Sequence, residues 1–206
     1  LLGERAVGLA KGETLFERGD AGDGCYWLRR GVVTVCAASA SGEQRILAIL
    51  GPGALIGELA MIDGLPRSAT VQAVRDCSLS FISRAAFTAL LRQHPELHTE
   101  IMATLAARLR QSDEDMIASS FLTVRARVAR ALLQFARHLG EEADPGWVLI
   151  QHRVTQSDLA AMAGVARESV SRTLGVWQKE KIVEGSPRDG YVVDKSRLER
   201  EAEVME

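Results

Sequence analysis

Residues Thr155–Gln178 read TQSDLAAMAGVARESVSRTLGVWQ. Thr155 suits a helix N-cap, with Asp158 three residues on as the acid of a capping box. Gly164 falls where the tight turn between two helices needs a residue without a Cβ. The next helix carries Val170, Leu174 and Trp177 at i, i+4 and i+7, one apolar stripe for packing. At about 100° per residue, Glu168, Ser171, Arg172 and Gly175 gather on the opposite side. Arg167 lies at the edge of that face, in the first turn, where a long side chain can swing round. The segment predicts a helix-turn-helix.

Such a motif sets the N-terminal residues of its second helix against base edges in the major groove. Arg pairs two-pronged with guanine O6 and N7, and Glu accepts from cytosine N4. The candidate DNA-contacting residues are Arg167, Glu168, Ser169, Ser171 and Arg172, with Thr155, Gln156 and Ser157 opening the first helix. The plain alternative is a solvated charged face. From Val124 onward Lys and Arg equal Asp and Glu in number, less basic than a typical DNA footprint. The acids collect in the Glu141–Asp144 stretch and the Glu199–Glu206 tail, which leaves a local basic surface around Arg153, Arg167 and Arg172.

Outward from the motif, WVLIQHRV before it reads as a strand and EGSPRDGYVV after it as a hairpin with Asp189-Gly190 at its turn. EEADPG reads as an acidic turn. Helix, strand, helix-turn-helix and hairpin are the layout of a winged helix-turn-helix. Upstream, no Gly or Pro occurs from Glu96 to Gly140, so one long helix or two in tandem fill that span. Met102, Leu105, Leu109, Ser112, Met116 and Ser119 are spaced 3, 4, 3, 4, 3, a coiled-coil seam. Leu97 and Ile101 form a second stripe for packing on the chain's own N-terminal part. A helix with two apolar stripes has two surfaces to bury, and the seam predicts a homodimer.

From Lys11 to Arg84 short β-like runs alternate with Gly-rich breaks, the pattern of a β-sandwich or jelly-roll barrel. Within it, residues 55–71 read LIGELAMIDGLPRSATV: an apolar segment holding an acid, Glu58, and nine residues on the pair Arg67-Ser68. A surface turn with a solvated ion pair is one reading. The other is a ligand site, because a lone carboxylate suits a hydroxyl donor while an Arg fork, a hydroxyl and free backbone amides suit an anion.

Composition sets the outer limits. The 206 residues are 47% hydrophobic and 25% charged with net charge −2, an ordinary globular balance. No run reaches the ~18 apolar residues of a membrane span, and no signal peptide is visible. The Leu-Leu-Gly start suggests a trimmed N-terminus. Three isolated cysteines, Cys25, Cys36 and Cys77, lack metal-ligand spacing and fit a reducing cytoplasm. No Ser/His/Asp or Cys/His arrangement, metal spacing or P-loop points to an enzyme.

Taken together, KGETLFERGD…YWLRRGVVTV, GEL…PRSA, the heptad seam and ARESVSR resemble the CRP/FNR family of bacterial transcription regulators, on its cyclic-AMP-responsive branch, over essentially the whole chain. The resemblance implies an α+β chain with a cyclic-nucleotide-binding β-roll (1–93), a dimerisation helix (94–122) and a winged helix-turn-helix (123–206). It implies that Glu58 accepts from the ribose 2′-OH, that Arg67 and Ser68 hold the cyclic phosphate, and that Gly57 and the amides of Leu59 and Ala60 approach it. Ser112 and Asp113 stand where the family places two hydroxyl residues against the purine; the acid leaves cyclic AMP or cyclic GMP open as effector. Asp113 facing solvent, or pairing with Arg108 or Arg110, is the alternative. Partners implied are a second copy, double-stranded DNA with TGTGA-like half-sites and RNA polymerase, with no metal and no membrane. Cluster-bearing relatives need a cysteine group not seen here, and His94, His98, His138 and His152 offer no identifiable haem ligation. A regulator answering another signal or none, and a nucleotide-binding module without DNA binding, remain the rival readings.

Overall fold

The computed structural model describes residues 4–39, 42–151 and 154–205; His152 and Arg153 of the expected strand and basic surface lie outside them. By internal packing the chain forms two compact units, 1–37 with 47–112, and 38–46 with 113–206.

The N-terminal part of the chain is built on strands β1 (Glu4–Leu9), β2 (Thr14–Phe16), β3 (Gly24–Arg30), β4 (Val33–Ala38), β5 (Gln44–Leu50), β6 (Leu55–Ile56), β7 (Thr70–Ala73) and β8 (Cys77–Ser83). They form two four-stranded sheets, ordered β1-β8-β3-β6 and β2-β7-β4-β5. Alternation along each strand sends Leu9, Leu28, Ile56 and Leu79 of one sheet into a core shared with Val33, Val71 and Ala73 of the other. Each such Leu, Ile or Val burial is worth about 1.5–3 kcal/mol.

The segment between β6 and β7 holds a short helix, α1 (Leu59–Asp63). Helix α2 (Arg84–Gln93) follows β8, capped by Ser83, whose hydroxyl accepts from the Ala86 amide. Helix α3 runs unbroken from Glu96 to Phe121. Ile101 packs with Cys25, Ala60, Met61 and Phe87, so one expected stripe does meet the β unit. On the other, Met102, Leu109 and Met116 are 60%, 64% and 68% exposed.

The second unit includes helix α4 (Val124–Leu139), capped by Thr123. It continues with β9 (Gly140–Asp144), β10 (Trp147–Ile150), α5 (Gln156–Ala163), α6 (Arg167–Lys179), β11 (Val183–Ser186), β12 (Gly190–Asp194) and α7 (Lys195–Glu201). The sheet order is β11-β12-β10-β9.

Two expectations are corrected. The acidic Glu141–Asp144 stretch is an edge strand, Glu142 opposite Val148 and Glu141 opposite Leu149: its backbone pairs with β10 while its charged side chains face solvent, a common protection of a sheet edge. The C-terminal hairpin turns through Pro187–Asp189, with Gly190 already paired to Ser186; the Ser186 hydroxyl, bonded to the Asp189 carboxylate at 2.8 Å, closes that loop. Beyond the hairpin the chain adds α7, started by Asp194, which accepts from the Arg197 amide at 3.0 Å.

Candidate functional site

Gly57 ends β6 at φ +78°, a conformation costly for any residue with a Cβ. That turn delivers Glu58 to the start of α1 with its side chain making no cap. The carboxylate is instead buried, the residue being 2% exposed, and it accepts from Arg108 Nη1 of α3. Arg108 Nη2 donates to the Leu55 carbonyl at 2.7 Å, fixing the guanidinium across both ends of the turn.

Arg67 is 4% exposed. Its amide donates to Asp20 O and its carbonyl accepts from the Gly19 amide, each at 2.9 Å, which ties it to the β2–β3 loop. Its Nη1 donates to Gly57 O at 2.9 Å and its Nη2 meets Asp23 at 3.3 Å. Nε is buried with no partner among the described residues. Glu58 and Arg67 are therefore both buried and paired elsewhere, which sets aside the solvated surface ion pair.

Around them the first amides of α1, at Leu59 and Ala60, have no partner within the helix. Ser68 is exposed. Arg84 ties α1 to the β2–β3 loop, donating to Ala60 O at 2.8 Å and Gly22 O at 3.0 Å. Cys25 lies under α1 with its thiol pushed up to about 12, first by burial and then by the negative charge of Glu58, with Arg67 opposing; it stays neutral and inert. The arrangement offers an acceptor for a hydroxyl and, nine residues on, a buried cation with a donor to spare.

On α3 the Ser112 hydroxyl donates back to Arg108 O at 3.1 Å. Asp113 is exposed and has no ion-pair partner among the described residues; Arg108 is committed to Glu58. Sequence reasoning missed Arg108, Asp23 and Arg84 as site residues. A single Arg on a long charged helix carries no spacing signal, and its partner lies fifty positions away.

In the second unit the helix-turn-helix forms as expected. Thr155 and Asp158 close a capping box: the Asp158 amide donates to Thr155 Oγ1 at 3.0 Å and the Thr155 amide to Asp158 Oδ2 at 2.8 Å. That use commits the Thr155 hydroxyl to the helix; Gln156 is half-buried and Ser157 exposed. Gly164 ends α5 in the left-handed region, φ 63° and ψ 45°. Arg127 of α4, unforeseen from the sequence, donates from Nε to Ala163 O at 3.0 Å and from Nη2 to Gly164 O, bracing the turn. Val170, Leu174 and Trp177 are buried as the stripe requires. Arg167, Glu168, Ser171 and Arg172 are exposed together and Ser169 is half-buried. Arg172 rests on Glu168 O at 3.4 Å.

Gly175 sits in the middle of α6 with open space where a Cβ would go. Gly175→Ala is expected to stabilise the chain by about 0.5–1 kcal/mol through helix propensity alone. A thermal melt checks it, and an unchanged or lowered Tm contradicts it.

Residues 6–94 match the cyclic nucleotide-binding domain family and residues 126–201 the Crp-like helix-turn-helix domain family. The chain is 36% identical over 189 residues to the cyclic AMP receptor protein of Thermus thermophilus, covering 92% of this chain and 84% of that one. It is 28% identical over 196 residues to the CRP-like cAMP-activated global transcriptional regulator of Mycobacterium tuberculosis, covering 95% and 87%. Among solved structures, a CRP-family transcriptional regulator of T. thermophilus superposes with a TM-score of 0.81 at 27% identity, covering 97% of this chain and 98% of the other.

Proposed function

Because the chain belongs to the CRP/FNR family of transcription regulators, we propose that it is a cyclic-nucleotide-responsive, sequence-specific DNA-binding protein acting as a homodimer. Its two matched modules are binding modules, and the protein is a regulator, not an enzyme. The observation that carries the reading is the pair of buried, oppositely charged side chains, Glu58 and Arg67, flanking α1 without pairing with each other.

In this reading the two N-terminal sheets close as a jelly roll over residues 1–93 and bind cyclic AMP, or cyclic GMP. Glu58 takes the ribose 2′-OH, displacing or sharing Arg108. Arg67, Ser68 and the amides of Leu59 and Ala60 take the cyclic phosphate, and Gly57 lets it approach. Ser112 and Asp113 meet the purine. Residues 94–122 form the dimerisation helix: the exposed Met102, Leu109 and Met116 make a stripe that a second copy buries. Residues 123–206 form the winged domain, whose α6 reads TGTGA-like half-sites through Arg167, Glu168, Ser169, Ser171 and Arg172, with Gln156 and Ser157 at the backbone and RNA polymerase as a further partner. Ligand binding shifts an existing equilibrium toward the DNA-competent arrangement. Calorimetric titration of the purified protein with cyclic AMP and cyclic GMP tests the ligand: heat of binding from at least one is expected, and none from either removes the reading.

Asp113 sets the base preference. A carboxylate is acceptor-only, so it takes one bond from adenine's amino group but two from the N1–H and N2–H₂ edge of guanine. Asp113→Ser is expected to move the ratio of cyclic AMP to cyclic GMP affinity toward cyclic AMP. A ratio unchanged by the substitution means Asp113 does not touch the base.

A further inference from the structure

We propose that Phe16 is a positioning residue for Arg67, holding its guanidinium against an aromatic face beside the Gly57 backbone. The inference rests on the nucleotide-binding reading above and assigns Phe16 a role in it.

A guanidinium this deeply buried needs compensation for its lost hydration. The Arg67 side chain is 2% exposed, and its one carboxylate neighbour, Asp23, is 73% exposed at 3.3 Å, so water screens much of that attraction. One carbonyl, Gly57 O, accepts at 2.9 Å, and the Nε–H has no partner among the described residues. What remains is π density: Cζ of Arg67 lies 4.3 Å from the centre of the Phe16 ring and 6.0 Å from that of Tyr26. Beside the ring, a Cβ on Gly57 would collide with Nη1 of Arg67, approach its Cζ to 3.2 Å and come within 3.3 Å of Phe16 Cε1. The missing side chain at Gly57 therefore leaves the room in which guanidinium and ring meet.

Phe16 is itself held in place. Strand β2 shifts register against β7 between Thr14, opposite Gln72, and Phe16, opposite Val71; such a bulge re-aims the side chain beside it. The ring then joins a row across the end of the unit: Phe16 to Tyr26 at 6.1 Å, Tyr26 to Phe81 at 5.2 Å, and Arg5 Cζ at 5.2 Å from the Phe81 ring. A row of three rings with a cation at each end cannot let one member turn without disturbing the next.

The chemistry explains why a ring suits this place better than a second carboxylate. A carboxylate would stabilise the cation by taking its N–H donors, the groups a phosphate needs. An aromatic face stabilises the charge through its quadrupole and leaves the N–H edge unspent. Phe16 thus holds the fork ready for an anion without competing for it.

The test uses the full chain and cyclic AMP in calorimetric titration, with melts to confirm folding. Phe16→Leu, which keeps apolar bulk and removes the ring face, is expected to weaken binding about five- to thirtyfold, while Phe16→Tyr retains affinity within about twofold of the parent. In an Arg67→Lys background, where no planar guanidinium lies on the ring, Phe16→Leu should cost little more. The seat is also read without ligand: the Arg67 Nε–H NMR resonance, displaced by the ring, should move in Phe16→Leu and hold in Phe16→Tyr. Equal affinity in Phe16→Leu and parent, or an equal loss in the Arg67→Lys background, overturns the role. A parent protein that shows the ring-shifted resonance but binds neither cyclic nucleotide overturns the nucleotide-binding reading instead, and with it the purpose of the seat.

Discussion

Arg67→Ala is expected to lower cyclic-AMP affinity about thirty- to a thousandfold, the loss of roughly 2–4 kcal/mol in charge-assisted contacts to the phosphate. The effect is large because no other cation stands ready: among the described residues the next guanidinium of the pocket, Arg108, is engaged by Glu58 and Leu55 O. The substitution also removes a buried cation whose Nε is unsatisfied, so the fold should survive and the dimer should persist in gel filtration. Calorimetry and a melt separate the two outcomes. A folded mutant with parental affinity would place the phosphate elsewhere.

Arg172→Ala is expected to weaken operator binding by about 1–3 kcal/mol per half-site, and a dimer loses the contact twice. Glu168→Ala should behave differently. Glu168 stands on the same exposed face, where a carboxylate among phosphates gains nothing in affinity, so its worth lies in rejecting the wrong base. Its removal should relax preference at one base pair per half-site with little change in overall binding. Anisotropy titrations against the operator and single-base variants check both. Loss of affinity by Glu168→Ala for all sequences alike would make it a structural residue.

The helix-turn-helix was legible because every signal for it is local. A capping box spans three residues, an αL turn needs one glycine, and a stripe repeats within two turns; Thr155, Gly164 and Trp177 each carry their meaning on their own. For the break between α3 and α4 the sequence leaves one long helix or two in tandem open; the structure makes it at Thr123, which caps α4. Elements decided by pairing were not legible. Glu141–Asp144 has turn-like, acidic composition, yet the backbone of β10 supplies partners that make it a strand. The short α1 is held by Arg84 from a distant helix, and no pattern inside residues 59–63 announces it.

The pocket divides the same way. Glu58 and Arg67 stood out as charges in an apolar segment, and their burial agrees with that signal. What surrounds them arrives from separate strands and helices: Arg108 from α3, Asp23 from the β2–β3 loop, Phe16 from a bulged β2. Side chains that converge only after folding leave no spacing to read.

The most direct test of the account is the binding of the full chain to a palindromic TGTGA-type duplex, followed by fluorescence anisotropy with and without saturating cyclic AMP or cyclic GMP. The account predicts that at least one nucleotide tightens DNA binding, by about five- to 150-fold as for a coupling of 1–3 kcal/mol, and that Arg67→Ala abolishes the gain. DNA affinity that is the same with and without both nucleotides would contradict it.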